Sequence, residues 1–195
     1  AVQMGHYIAM GGASTDGPSS QKVDRVHLFD LRTKEERLLT VCDGISSLLT
    51  SKGTAEEYLI VKGKRDGKRL VTIWSGTELA ESSADPLVLQ WNFNLHDHVV
   101  PAKDYLYILK KSGRKSLKDP EPCSIEVYDL RTKQTQPVAT LASEGVGSLM
   151  TYGDVCCLVT HSETVTKVES YRWDSVSGVL RKMEGDYLSF KSLDE

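Results

Sequence analysis

Ten basic side chains stand in two short runs of this sequence. Lys62-Gly63-Lys64-Arg65-Asp66-Gly67-Lys68-Arg69 and Lys110-Lys111-Ser112-Gly113-Arg114-Lys115-Ser116-Leu117-Lys118 each hold five cations, in a chain whose net charge is −3. A focus of positive charge on an otherwise acidic protein draws phosphate, acidic peptide or RNA, with affinity that falls as salt rises. No aromatic residue interleaves with these cations, so stacking of bases on the runs themselves is not indicated.

Other reactive residue types are sparse. His96-Asp97-His98 is a His-x-His pair, which on a strand points both rings to one face. No third ligand with a supporting spacing accompanies it, and His161 is far off in sequence, so no metal is expected. With Asp104 nearby, these residues are the one local cluster that an enzyme would draw on. Gly147-Ser148 lacks the G-x-S-x-G frame of a nucleophile elbow. Gly11-Gly12 lacks the Lys-Ser/Thr and the helix of a phosphate loop. No catalytic residue and no cofactor is expected on these grounds.

Cys42, Cys123, Cys156 and Cys157 form no CxxC pair, and adjacent cysteines make no unstrained bridge with each other. Four reduced thiols imply an intracellular protein, whether cytoplasmic, nuclear or organellar. Neither Asn92 nor Asn94 begins a glycosylation sequon, and the N-terminus has no secretory signal. No apolar run approaches the ~20 residues of a membrane span, so no membrane partner is expected. The sequence begins at Ala1 rather than Met, which reads as a processed product or a piece of something longer. Its 195 residues suffice for a single domain over 1–195 that needs neither disulfide nor metal to fold.

The elements that must position these residues are written in a repeat. Val26-His27-Leu28-Phe29-Asp30-Leu31-Arg32-Thr33-Lys34 returns as Ile125-Glu126-Val127-Tyr128-Asp129-Leu130-Arg131-Thr132-Lys133, and Gly44–Thr50 returns as Gly145–Thr151. Apolar strands recur at Tyr7–Met10, Tyr58–Val61, Tyr105–Leu109 and Val155–Val159. Each is followed by an alternating strand: Val23–Phe29, Leu70–Trp74, Ser124–Tyr128 and Val168–Trp173. A further strand departs at Arg37–Val41, Leu87–Trp91, Gln136–Leu141 and Val179–Met183. The stretches Ile45–Leu49, Val99–Val100, Val146–Thr151 and Tyr187–Phe190 complete the pattern. Tight turns headed by Asp30, Asp129 and Asp174 follow the alternating strands, because an Asp side chain bonds the backbone N–H groups ahead of it. Ala13–Ser20 reads as a long polar loop, and Glu78–Asp85 as an acidic insertion that either caps a short helix or is loop.

Four strands per unit and about four units of ~50 residues are the plan of a β-propeller, since a single twisted blade buries neither face alone. The expected units are 7–44, 45–93, 98–141 and 146–190. Tyr7-Ile8-Ala9-Met10-Gly11-Gly12 resembles the Gly-pair strand of kelch repeats, and Val127-Tyr128-Asp129-Leu130 and Arg172-Trp173-Asp174 resemble the aromatic-Asp strand end of WD-type repeats. The resemblance implies an all-β propeller of four-stranded antiparallel blades without fixing the subfamily. No strand is evident before Tyr7, and Tyr187–Phe190 looks like a strand that belongs before such a marker. The expected ring is therefore either a closed small one, completed by the C-terminal strand, or part of a larger propeller. Family analogy implies a non-catalytic interaction scaffold, a subunit of a larger complex that binds other proteins through blade loops. Equivalent loops of neighbouring blades share one face, so the two basic runs are expected to form one rim. The alternatives are an enzyme with its site in the central channel and a nucleic-acid binder working through the basic loops.

Overall fold

The computed structural model describes residues 1–13, 23–81, 86–92, 98–111, 122–134, 137–144, 146–161, 165–184 and 190–191. The strands form four sheets, each built from consecutive strands in simple antiparallel order. The first sheet holds β1 (Val2–Met4), β2 (Tyr7–Ala13), β3 (Asp24–Asp30) and β4 (Glu36–Cys42). The second holds β5 (Gly44–Lys52), β6 (Glu57–Arg65) and β7 (Lys68–Ser75), then a five-residue helix α1 (Gly76–Ala80), then β8 (Leu87–Asn92). The third holds β9 (His98–Ala102), β10 (Tyr105–Lys111), β11 (Pro122–Asp129) and β12 (Ala139–Glu144). The fourth holds β13 (Val146–Tyr152), β14 (Val155–His161), β15 (Val165–Asp174) and β16 (Val179–Lys182), with β17 (Phe190–Lys191) added to β15.

The chain divides into two compact units, 1–93 and 94–195. In the first unit the first two sheets pack on each other, with β5 beside β1 and β2. Their shared core joins Met4, Tyr7, Ala9, Val26 and Leu28 to Leu59, Val61, Trp74 and Leu79. In the second unit β9 lies beside β13 and β12 beside β16. Tyr107, Leu109, Ile125 and Val127 of the third sheet meet Leu149, Cys156, Leu158 and Tyr171 of the fourth.

Alternation explains why β3 sits as it does: Val26 and Leu28 are buried and the residues between them are not. The second strands of the second and third sheets carry continuous apolar runs instead. Tyr58–Val61 are each at most 1% exposed and Leu106–Leu109 are all 0% exposed, as strands covered on both faces must be.

Two expectations about the chain's ends are corrected. A strand does precede Tyr7: β1 pairs Val2 with Ala9 and Met4 with Tyr7 around a turn at Gly5, whose φ is +54°. At the other end, Phe190 pairs with Thr166 and Lys191 with Val165, so this strand extends its own sheet rather than completing the first. Residues 187–189 of the expected C-terminal strand lie outside the described residues.

Candidate functional site

The first basic run is not a loop. Lys62, Lys64 and Arg65 belong to β6, and Lys68 and Arg69 to β7, with only Asp66 and Gly67 between them. Both turn residues have positive φ, +52° and +71°, which a two-residue hairpin requires and an Asp-Gly pair supplies. That dipeptide was the signal in the sequence for a hairpin where a loop was expected. Arg65 turns across to the first sheet, where an Nη2 hydrogen bonds the Val41 carbonyl. The same corner is closed by the Asp43 amide on the Lys64 carbonyl at 2.9 Å and by the Asp66 amide on Asp43 Oδ2 at 2.6 Å. Burial first, and then the neighbouring Arg69 charge, pull the Lys62 ammonium below its ordinary pKa.

The second run lies in the other compact unit. Lys110 is ion-paired with Glu126 on the adjacent strand, and the Tyr128 hydroxyl donates to the same carboxylate at 2.7 Å. Lys111 ends β10; Arg114, Lys115 and Lys118 fall outside the described residues, as does the polar stretch after Ala13. At least Arg65 and Lys110 are thus engaged in holding strands together, and neither is a solvated loop cation.

The repeated Asp-Leu-Arg-Thr-Lys motif proves to be a corner. Asp30 Oδ1 accepts from the Arg32 amide at 2.8 Å, Asp129 Oδ1 from the Arg131 amide at 2.9 Å, and Asp174 Oδ1 from the Val176 amide at 3.0 Å. The chain then turns back through a left-handed residue: Lys34 (φ 64°), Lys133 (φ 52°) or Gly178 (φ 66°). In the second sheet the equivalent place after Trp74 is taken by Ser75, whose hydroxyl accepts from the Glu78 amide at 3.2 Å while Glu78 Oε2 accepts from the Ser75 amide at 2.7 Å. This reciprocal capping box starts α1 and settles how the acidic insertion begins. Residues 82–85 of that insertion lie outside the described residues.

The corner of the third sheet is also neutralised. Burial raises the Asp129 carboxyl, but the side-chain hydrogen bonds of Arg131 outweigh it and hold it below the usual range. The Arg131 guanidinium grips both Asp129 oxygens, at 3.0 and 2.7 Å, and stands 5.7 Å over the Tyr105 ring.

Only half of the expected His–Asp cluster falls among the described residues. His96 and Asp97 are outside the described residues; His98 begins β9 while Asp104 sits in the turn beyond its far end, roughly 13 Å along a strand. Among the described residues no group of three His, Cys, Asp or Glu is placed to hold a metal. None of the four cysteines is in a disulfide, and burial pushes the Cys156 thiol up to about 12, with Cys42 raised as well. Among the described residues no helix is long and apolar enough to cross a membrane.

Sequence reasoning missed a feature of the first unit. Two hollows meet at Arg37. One, of about 510 Å³, is lined by Tyr7, Leu28, Leu79 and a rim of Asp30, Glu35 and Glu36. The other, of about 240 Å³, lies between β4 and the face of the second sheet and is bounded by α1. Arg37 is fixed between them by a hydrogen bond from Nη2 to the Leu79 carbonyl of α1. Nothing local in the sequence announces this, because its walls come from positions 37–40, 65, 72, 74, 78, 81, 86 and 88.

No protein-family model matches the chain, and no curated protein matches it by sequence. Solved structures do match. The β-propeller domain of the Trilobed protease from Pyrococcus furiosus, which has an open velcro topology, aligns with a TM-score of 0.63 and 12% identity over 92% of this chain and 53% of that one. An acylaminoacyl peptidase from Pyrococcus horikoshii aligns at 0.61 with 10% identity, over 93% of this chain and 31% of that one. An acylaminoacyl peptidase in complex with Z-Gly-Gly-Phe-chloromethyl ketone aligns at 0.62 with 10% identity, over 94% and 32%. The chain therefore spans about half the length of the first and about a third of the others.

At such identities the likeness concerns the fold, and this chain is an all-β protein of β-propeller architecture. The expectation of a non-catalytic interaction scaffold working through a basic rim is corrected: the solved structures it matches are the β-propeller domain of a protease and acylaminoacyl peptidases.

Proposed function

We propose that this chain is part of the β-propeller of a peptidase, and that its role is to admit and screen substrate for a catalytic domain outside it. The observation that carries this reading is the match, across more than nine-tenths of the chain, to propellers that belong to proteases. A propeller surrounds a channel along its axis. A peptide bond reached only through such a channel is open to an extended chain and closed to a folded domain. The four sheets amount to about half of a propeller the size of the Pyrococcus furiosus one, since the chain covers 53% of it. Each sheet is made from consecutive strands, and among the described residues none borrows a strand from the far end of the chain. The raised pKa values of Cys42 and Cys156 fit a part that does not supply a thiolate nucleophile.

The test is to recover the chain from its native source with whatever it is joined to, and to assay hydrolysis of blocked short peptides. The expected result is peptide hydrolysis that Z-Gly-Gly-Phe-chloromethyl ketone abolishes and that spares folded proteins. Recovery with no peptide hydrolysis, or equal cleavage of folded and unfolded substrates, would overturn the proposal.

A further inference from the structure

The smaller hollow of the first unit has the chemistry of a ligand site. Two arginines line it, one from each sheet: Arg37 of β4 and Arg65 at the end of β6. Each is pinned by one hydrogen bond to a backbone carbonyl, Arg37 to Leu79 and Arg65 to Val41. Among the described residues neither guanidinium has a carboxylate within ion-pair distance. A guanidinium offers five N–H donors in a planar fork, and these bonds leave most of them unused. Held guanidiniums with spare donors are what a carboxylate seeks, because the fork matches its two oxygens.

The remaining walls say what the carboxylate is attached to. Trp74, Pro86 and Val88 border the same hollow from the second sheet and Leu38 from the first. Leu38 and Val88 are 51% and 42% exposed, a large apolar presence for two strands at sheet edges. Thr72 also lines the hollow and is only 4% exposed. Its hydroxyl is a short donor and acceptor group on the wall of the hollow.

Two acidic residues also line it, Glu78 in the first turn of α1 and Glu81 at its C-cap. Glu78 Oε2 is occupied by the Ser75 amide. Their charges oppose phosphate or any dianion more than a single negative charge, which the two guanidiniums outweigh more readily. At about 240 Å³ the hollow is smaller than the roughly 300–1,000 Å³ of drug-sized sites, so the ligand is small or is the end of a chain.

We infer that this hollow binds the free carboxylate of an apolar acid, as presented by a peptide C-terminus ending in an apolar residue. Arg37 and Arg65 receive the carboxylate, Thr72 donates to it, and Trp74, Val88 and Leu38 cover the apolar side chain. The inference is independent of the peptidase reading and stands or falls separately.

The test uses the full chain and calorimetric or NMR titration with three probes: N-acetyl-leucine, a short blocked peptide ending in a free leucine carboxylate, and the same peptide as its C-terminal amide. Both acids are expected to bind and the amide to bind at least tenfold more weakly. A peptide tighter than N-acetyl-leucine identifies a chain end as the ligand, and equal affinity identifies a small acid. Arg65→Gln and Thr72→Val should each erase most of the acid-over-amide preference. Arg37→Gln should do so too, but it also releases α1, so the Arg65 variant, checked by thermal unfolding, carries the test. Equal binding of acid and amide, no binding of either at millimolar concentration, or a folded Arg65→Gln protein that keeps the preference would overturn the inference.

Discussion

Lys34 and Lys133 pay the steric cost of a left-handed backbone at positions where the fourth sheet uses Gly178. A non-glycine residue in that region is disfavoured by about 1–2 kcal/mol, part of which glycine loses again to its freer unfolded chain. Lys133→Gly is therefore expected to stabilise the protein by up to about 1 kcal/mol, measured by urea unfolding. Gly63 is the opposite case. A Cβ there would come within 2.7 Å of the Gly44 carbonyl oxygen, a backbone atom that cannot swing aside. Gly63→Ala should cost about 1–3 kcal/mol, and an unfolding midpoint unchanged from the parent would contradict the close approach. Asp129 carries a pH signature. Its folded pKa lies below the ordinary 3.8, so the stability it contributes is complete above that value and is lost as pH falls through the folded one. Asp129→Asn should cost about 1–2 kcal/mol near neutrality, and the gap between variant and parent should close in stronger acid. A gap that stayed constant with pH would mean that the Arg131 pairing is not its source.

Strands with apolar alternation or continuous apolar runs were legible one by one. The aromatic residue and Asp that end β3, β11 and β15 mark where the chain must turn, because the Asp side chain meets amides two residues ahead and needs no distant partner. Elements defined by pairing were not legible. Val2–Met4 is three residues long and has no pattern of its own; it is a strand because Tyr7–Ala9 offers it a ladder. The first basic run was misjudged as loop since charge suggested solvent, whereas Asp66-Gly67 and the register of Lys64 with Arg69 make a hairpin. The helix α1 was half visible, as Ser75 and Glu78 stand at capping-box spacing, and the box is what lets a five-residue helix persist. Ser75→Ala is expected to destabilise by about 1 kcal/mol and to loosen Leu79, which is 1% exposed in the first unit's core. Hydrogen exchange over residues 76–80 that was no faster in the variant would show that packing alone holds the helix.

At the scale of the whole molecule, two compact units each carry their own core, and each core is shared by two sheets. The four cysteines report on that burial: Cys42, Cys123 and Cys156 are buried and Cys157 is partly so. A thiol reagent at neutral pH should leave the buried three unmodified in the native protein and titrate all four once denaturant is added; rapid native modification of Cys156 would contradict its burial. The period of the repeat and the two-fold alternation within it sufficed for the propeller architecture, because a four-stranded meander is specified by neighbours a few residues apart and its apolar faces require stacking. What the ends of the chain pair with, which cations are tied into ladders, and that Arg37 and Arg65 reach one hollow were decided only in three dimensions. Those features join residues tens of positions apart, and nothing in a local pattern records which distant surface a side chain will meet.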